Sequence, residues 1–521
     1  MANKIIRELG KKYTLTEMAD ALTAPPQYTN QALYQTCLKL KDENRMLRRE
    51  NEKIAFLEAR VASLESQLTE ALGVIRDLQN RLNKDSSNSG KPPSTDGFRK
   101  KRRNLREKTG KPRGGQIGHP GKTLLMRENP DRIIVHEVTS CECCGNSLAG
   151  IPASSTERRQ VYDIPPLSIE VTEHRGEIKK CPFCKAKNKA EFPDNVPASV
   201  QYGENVKAFV SFAMAYQFIP YQRTCEFFET LFSHPISLGT INNIVTDFYE
   251  SSEVFEEALK ERLRQAPVIH CDESGMSVEK KRHYVFVCSN DKLTHYYYGK
   301  GRGRKQMDEM GILPGYTGVA VHDGWKSYFG YGCAHALCNV HHLRELKGLI
   351  EDNFDGIKWL DLMFNFLKEK KKFADSQKMT NAFIPYEIID KIVKEYDKIV
   401  EDGLNEYNLG PPAFSSKKKR GKKKQPASKN LLDRLKKSKT AVLAFLLDFR
   451  VPFDNNQAER DIRMIKVRQK ISGAFRSESG PKIFCRMRSY ISTVKKQGLK
   501  VFESIKNVFL RKPFIPKIAQ G

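Results

Sequence analysis

From Leu40 onward an apolar residue recurs at every seventh position: Leu40, Leu47, Ile54, Val61, Leu68, Ile75 and Leu82. This period predicts a left-handed coiled coil. The companion positions hold Asn44 and Asn51 in the first half and Leu57, Leu64, Ala71 and Leu78 in the second, so the seam shifts near Ile54. A buried Asn in such a seam lowers stability but selects register and strand number, which predicts a parallel dimer. The pattern ends at "KDSSNSGKPPSTDG", where Ser, Gly and Pro remove both helix propensity and apolar content, the composition of a linker.

Further along, the period changes twice. Residues 201–264 carry helical spacing, and "YQRTCEFFETLFSHPISLGTINNIVTDFYE" predicts two helices around a short turn, with Ser237 capping the second. This is a helix-turn-helix candidate for DNA reading, although helical hairpins of that shape also occur in ordinary bundles. After Pro267 the pattern changes: "VIHCDES", "HYVFVCS" and "THYYYG" are short β-rich runs separated by polar or charged residues, which predict a meander of three strands. A helix at "RKQMDEMGI", a strand in "TGVAVHDGWKSY", a strand running into a helix at "AHALCNVHHLREL", and a later helix at "DNNQAERDIRMIKVRQK" complete the order. That order is the one found in ribonuclease H-like α/β domains.

The alternation also sorts the acids. Val268, His270 and Asp272 share one face of the first strand with Glu273 on the other, and Val319, Val321 and Asp323 share a face of the fourth. Both aspartates are expected at strand ends, where carboxylates converge. Asp454 with Gln457 reads as a capping box that starts the late helix. Glu459 follows one turn in, with Arg463 and Lys466 on its face to meet phosphates, whereas Asp461, about 200° round from Glu459, reads as a surface ion-pair partner. Three carboxylates in one crevice suit two Mg²⁺ or Mn²⁺ ions and in-line attack on a phosphodiester. Ser274 and Cys271 have no base partner that would make either a nucleophile.

Charge narrows the partner. Lys and Arg number 89 against 62 Asp and Glu, a formal net charge of +27 across 521 residues. Such an excess attracts a polyanion, and double-stranded DNA is the leading partner. The segment "FRKKRRNLREKTGKPRGGQIGHPGK", with Lys100, Lys101, Arg102 and Arg103, is suited to lie along phosphates. The start of the chain lacks a signal-peptide pattern and no later run is long enough to cross a bilayer, which predicts a cytoplasmic, nucleoid-associated protein with no membrane partner.

Twelve cysteines in a reducing compartment read as metal ligands or small buried residues. Cys141 and Cys144, with Cys181 and Cys184, form two C-x2-C pairs flanking strand-like runs, which predicts a structural Zn²⁺ in a ribbon-like β unit. The gap between the pairs exceeds the compact ribbon spacing, and Cys143 offers a second partner for Cys141. Cys333, His335, Cys338 and His341 are also ligand types, but a buried strand followed by a histidine beside the carboxylates is the simpler expectation.

Taken in order, "SSNSGKPPSTDG", "CECCG" with "CPFC", "HCDES", "VHDGWKSY", "CNVHHLREL", "DNNQAERDIR" and "SESGPKIFCRMRSYISTVKKQG" resemble a transposase of the DDE superfamily, in the insertion-sequence family numbered sixty-six. The resemblance covers nearly the whole chain. It implies a multidomain α/β protein that binds element ends and cuts and joins DNA, with Asp272, Asp323 and Glu459 as the catalytic trio. The expected units are a helical coiled-coil region (1–84), a basic linker (85–130), a zinc-binding domain (131–200), a helical DNA-binding region (201–264), a catalytic domain (265–345 and 441–495), a helical insertion with a basic loop at 415–428 (346–440), and a C-terminal tail (496–521). Expected partners are the element ends and target DNA, a second copy through the coiled coil, and accessory proteins of the same element. The alternative is an inactive protein that only occupies DNA ends.

Overall fold

The computed structural model describes residues 26–84, 123–352, 356–409 and 425–517. Lys100 to Arg103 and most of the 415–428 loop lie outside the described residues. Two units are distinguished, 1–85 and 86–521. In the first, α1 (Pro26–Asn83) is one continuous helix of 58 residues, about 87 Å long at 1.5 Å per residue. Leu40, Leu47, Ile54, Val61, Leu68 and Ile75 are all about half exposed along it, so the heptad stripe is uncovered within one chain. Among the described residues no helix is long and apolar enough to cross a membrane.

The second unit begins with extended chain and a short hairpin, β1 (Ile178–Lys180) and β2 (Lys187–Lys189). Four helices follow: α2 (Glu204–Ser211), prolonged by a π turn over Phe212–Tyr216, then α3 (Tyr221–Phe232), α4 (Leu238–Ser251) and α5 (Glu253–Arg264). Ser237 caps α4 as its sequence predicts, its hydroxyl oxygen accepting from the Thr240 N–H at 3.0 Å.

Then comes the sheet: β3 (Val268–Val278), β4 (Lys281–Ser289), β5 (Thr294–Gly299), β6 (Val319–His322) and β7 (Ala334–Leu337), in the order β5-β4-β3-β6-β7. The first three strands pair antiparallel, while β6 and β7 join parallel to β3. Helix α6 (Arg304–Met310) crosses from β5 toward β6, and α7 (Asn339–Glu351) leaves β7.

Residues expected as an insertion fold into α8 (Trp359–Thr380), α9 (Tyr386–Leu409) and α10 (Ala427–Lys437). With α11 (Lys439–Leu447) they bury a core of their own around Trp359, Phe366, Tyr396 and Leu431. Gly403 is required there, because a Cβ would stand 2.8 Å from the Trp359 ring. The chain returns through α12 (Asn456–Ser472), α13 (Ser479–Lys496) and α14 (Val501–Phe509).

Each sheet face has its own cover. The face carrying Met276, Val278, Val285 and Val287 packs on Ala458, Ile462 and Ile465 of α12. The opposite face, with Ile269, Cys271 and Phe286, shares one core with Ile241, Phe248, Phe255, Tyr490 and Val508. Two expectations change here. The helices at 201–264 are not separately cored, and the tail expected at 496–521 contains α14, whose Ile505, Val508 and Phe509 enter that same core. Amphipathic spacing identified these helices but could not say which apolar faces meet.

An ion pair ties this layer together. Glu256 of α5 accepts from His295 of β5 at 3.2 Å and is paired with Arg486 of α13, all nearly buried. Burial alone would raise the Glu256 carboxyl, but the hydrogen bond and charge of His295, with Arg486 behind it, bring it down to about 2 from an ordinary 4.5. A depressed carboxyl contributes stability that is present above its unfolded value and lost as pH falls through the folded one. Glu256→Gln is therefore expected to cost about 3 kcal/mol at neutral pH. In urea melts, the gap from wild type should close as pH falls from about 4.5 toward 2; a gap that stays constant with pH would remove the ion pair as its cause.

Candidate active site

Strand β3 carries two acids on opposite faces. Asp272 lies on the α12 face, level with Val287 of β4, and Glu273 lies on the other. Asp272 is not at a strand end: β3 runs six residues past it, and only the parallel pairing with β6 stops short, at His270 opposite Val321. Asp323 does follow the last residue of β6 directly. Gly324, at φ +91°, turns the chain so that the Trp325 N–H donates to Asp323 Oδ1 at 2.9 Å. Asp272 Oδ1 likewise accepts the Glu273 N–H at 2.8 Å, which leaves one oxygen of each aspartate for a ligand.

Burial pushes the Asp272 carboxyl well above its ordinary range, and the charges of Glu273, Asp323 and Glu459 push the same way. Burial also raises Glu273, with Asp323 adding to it, while Tyr328 and Arg302 oppose the rise. Glu273 is 2% exposed, takes the Tyr328 hydroxyl at 2.7 Å, and pairs with Arg302 at 2.5 Å. The Arg302 guanidinium in turn lies 3.7 Å from the centre of the Trp325 ring.

The third acid arrives on α12. Contrary to the capping box expected from Asp454 and Gln457, the helix is capped at Asn455 and Asp454 makes no capping box. Asp454 Oδ1 accepts the Asn456 N–H at 3.0 Å, and Gln457 donates instead to Asp461 at 3.0 Å. Asp461 is no surface group either: at 12% exposure it holds Lys496 of α13 at 2.8 Å. Helical angles say which residues share a face, but not which face a neighbouring helix covers.

What fixes the start of α12 is Asn455, 1% exposed. Its Nδ2 donates to the Cys271 carbonyl at 2.8 Å and its Oδ1 meets His270 Nδ1 at 2.9 Å. Its own N–H donates to Cys338 Sγ at 3.2 Å. So one side chain and its amide join β3, the junction of β7 with α7, and α12.

Glu459, one turn on, has His341 Nε2 at 3.7 Å from Oε1 and Arg344 at 4.0 Å from Oε2. Lys466 donates to the Gly275 carbonyl at 2.7 Å, and Arg463 is exposed on the same helix. Asp272 feels the charges of Asp323 and Glu459, but the three acids do not come within 4.8 Å of one another as a group. Among the described residues, the convergence of three metal-capable side chains within 4.8 Å is Cys338, His341 and Glu459. Cys333 and His335 stand apart from it: Cys333 is in the core, and His335 pairs with His322 at 3.1 Å. The sequence signal for the trio is the C-x-x-H spacing across a strand-to-helix junction, which puts both side chains on the first turn of α7.

The paired cysteines form two matching turns. Cys141 and Cys181 each receive a main-chain hydrogen bond four residues on, from Gly145 and Lys185, both with positive φ. N–H groups of Cys144 and Cys143 lower the Cys141 thiol, and those of Cys184 and Phe183 lower Cys181. The side chain of Cys144, not that of Cys143, also lowers the Cys141 thiol. The two turns are formed but are not among the side chains that converge on one point.

Residues 199–483, more than half of the chain, match the family model described as Transposase IS66 family. The chain belongs to that family. A second model, the zinc-finger binding domain of transposase IS66, matches residues 139–185 and so spans both cysteine turns. A family of unknown function matches residues 40–124. No curated protein matches the chain. The transposase-family match contains all three acids, Asn455, and the helices 201–264 that share the sheet's core. Asn455→Ala is expected to destabilise the protein by about 2 kcal/mol, since it strips the buried Cys271 carbonyl of its donor. An unchanged urea midpoint would show that the latch is dispensable.

Proposed function

We propose that this IS66-family chain cleaves DNA at element ends and transfers the strand, through Asp272, Asp323 and Glu459. The observation that carries the reading is the charge crowd on Asp272, a half-buried carboxyl pushed far up by burial and by Glu273, Asp323 and Glu459. Acids placed against one another in this way are relieved by divalent cations. The sheet order, three antiparallel strands followed by two parallel ones, supports a ribonuclease H-like catalytic domain.

The residues present fit two Mg²⁺ or Mn²⁺ ions: Asp272 and Asp323 each keep an oxygen, and Glu459 Oε1 is buried without a hydrogen-bond partner among the described residues. When bound, such ions activate a water or 3′-hydroxyl and steady the leaving oxygen. The protein's own part is orientation. Asn455 sets where Glu459 stands relative to β3, while Arg463, Lys466 and Arg344 offer positive charge to phosphates beside the acids. Lys100, Lys101, Arg102 and Arg103 extend the contact along the duplex in this reading.

The exposed seam of α1 supports a coiled-coil dimer that brings two ends together, and the protein works at the nucleoid with accessory proteins of its element. Zn²⁺ held by Cys141, Cys144, Cys181 and Cys184 staples the small β unit; the N–H groups aimed at Cys141 and Cys181 suit thiolates.

With labelled element ends and Mg²⁺, Glu459→Gln should bind like wild type and lose nicking and joining by at least about 100-fold. Equal cutting would remove Glu459 from the site, and binding without cutting by wild type would favour a protein that only occupies ends. Because Asp272 holds its proton more tightly than an ordinary carboxyl, protons compete with the cation. The Mg²⁺ concentration for half-maximal cleavage should therefore rise in mild acid, and a flat profile would contradict this. Removing Zn²⁺ with a chelator should loosen residues 139–185 to protease while leaving the sheet resistant; zinc-free protein with the same cleavage pattern would exclude the staple.

A further inference from the structure

The trio of Cys338, His341 and Glu459 has chemistry that the magnesium reading does not use. We infer that these three side chains form a binding site for one transition-metal ion of the Zn²⁺ class, and that an ion there withdraws Glu459 from the cleavage site. The second part rests on the proposed role of Glu459; the first does not.

Four observations carry the site. The ligand atoms lie within 4.8 Å of one another. His341 Nε2 and Glu459 Oε1 are 3.7 Å apart, close to the roughly 3.3 Å between two ligands about 2.0 Å from a shared tetrahedral ion. Glu459 Oε1, the oxygen on that side, is buried with no hydrogen-bond partner among the described residues, a costly arrangement unless something else binds. Finally, Arg344 faces Oε2, the other oxygen, so the carboxylate is balanced on one side and open on the side of His341 and Cys338.

The ligand types decide the metal. A thiolate and an imidazole beside one carboxylate are soft and borderline donors, which favour Zn²⁺ or Co²⁺ over Mg²⁺. The Cys338 proton leaves as the ion binds, so the thiolate and carboxylate together neutralise it. Cys338 caps α7 and Glu459 is in the first turn of α12, so both helix N-termini face the ion. Their partial positive charges oppose it, but by at most about 1 kcal/mol each, less than direct coordination supplies. A fourth ligand would be water, since three protein ligands leave one tetrahedral position open.

The test uses the full chain, stripped of metal and titrated with Co²⁺ while following the absorption that reports thiolate bound to cobalt. Wild type should take up one equivalent more than Cys338→Ser, and His341→Gln, altered at the more exposed edge of the cluster, should show the same deficit. If all three proteins take up equal amounts, the site does not exist, whatever the cysteine turns at 141–144 and 181–184 bind. Zn²⁺ is then titrated into Mg²⁺-supported cleavage, each protein being scored against its own uninhibited rate. Cys338→Ser should need at least about tenfold more Zn²⁺ for half inhibition than wild type. Equal inhibition alongside the cobalt deficit would keep the metal site and sink its link to Glu459. A wild type that never cuts would count against the catalytic reading alone, because the cobalt count is independent of it.

Discussion

The site depends on the hydrogen bonds of one buried amide. Strand β3 loses its parallel neighbour after His270, and α12 starts on the far side of a long excursion of the chain. Asn455 closes both gaps by donating to the Cys271 carbonyl, meeting His270, and reaching Cys338 through its own N–H. A buried polar side chain is tolerable only when fully bonded, so these partners admit little freedom in where α12 begins. Ala458, Ile462 and Ile465 then settle its rotation against β3 and β4, and Glu459 faces the acids as a consequence.

Electrostatics works against this arrangement. Asp272 beside Glu273, Asp323 and Glu459 is unfavourable for folding, and the packing on both faces of the sheet must carry that cost. On the far face, Glu273 is compensated locally by Arg302 and Tyr328. Among the described residues, Asp272 has no ion-pair partner that plays that part. The contrast is between two adjacent acids on one strand, one paired by the protein and the other left crowded by like charges.

Much of this frame could be read from the chain. The short β-rich runs marked β3, β4 and β5, which are covered on both faces, and the helical spacing marked α3, α4, α7 and α12, because local propensity and apolar spacing suffice for each. Ser237 declared its cap for the same local reason. The rest was illegible because it is not local. Asp454 and Gln457 have the spacing of a capping box, yet Gln457 is drawn to Asp461, and Asp461 is held by Lys496, from a helix whose position the pattern does not reveal. The trio of Cys338, His341 and Glu459 brings together residues more than a hundred positions apart, so the C-x-x-H spacing marked only two of its members.

The helices between α7 and α12 have a further bearing on how the site assembles. Bringing the ends of a flexible chain together costs entropy that grows with the logarithm of its length, about (3/2)RT ln n. A structureless tether of this length would leave α12 searching a large volume for β3. Because α8, α9, α10 and α11 close on Trp359 and its neighbours, most of that contour is consumed locally. The core they form also includes Leu337 at the end of β7 and Phe453 just before Asn455. The excursion therefore leaves the sheet and returns to it at neighbouring points, and the acid farthest along the chain is delivered by a short, already anchored segment.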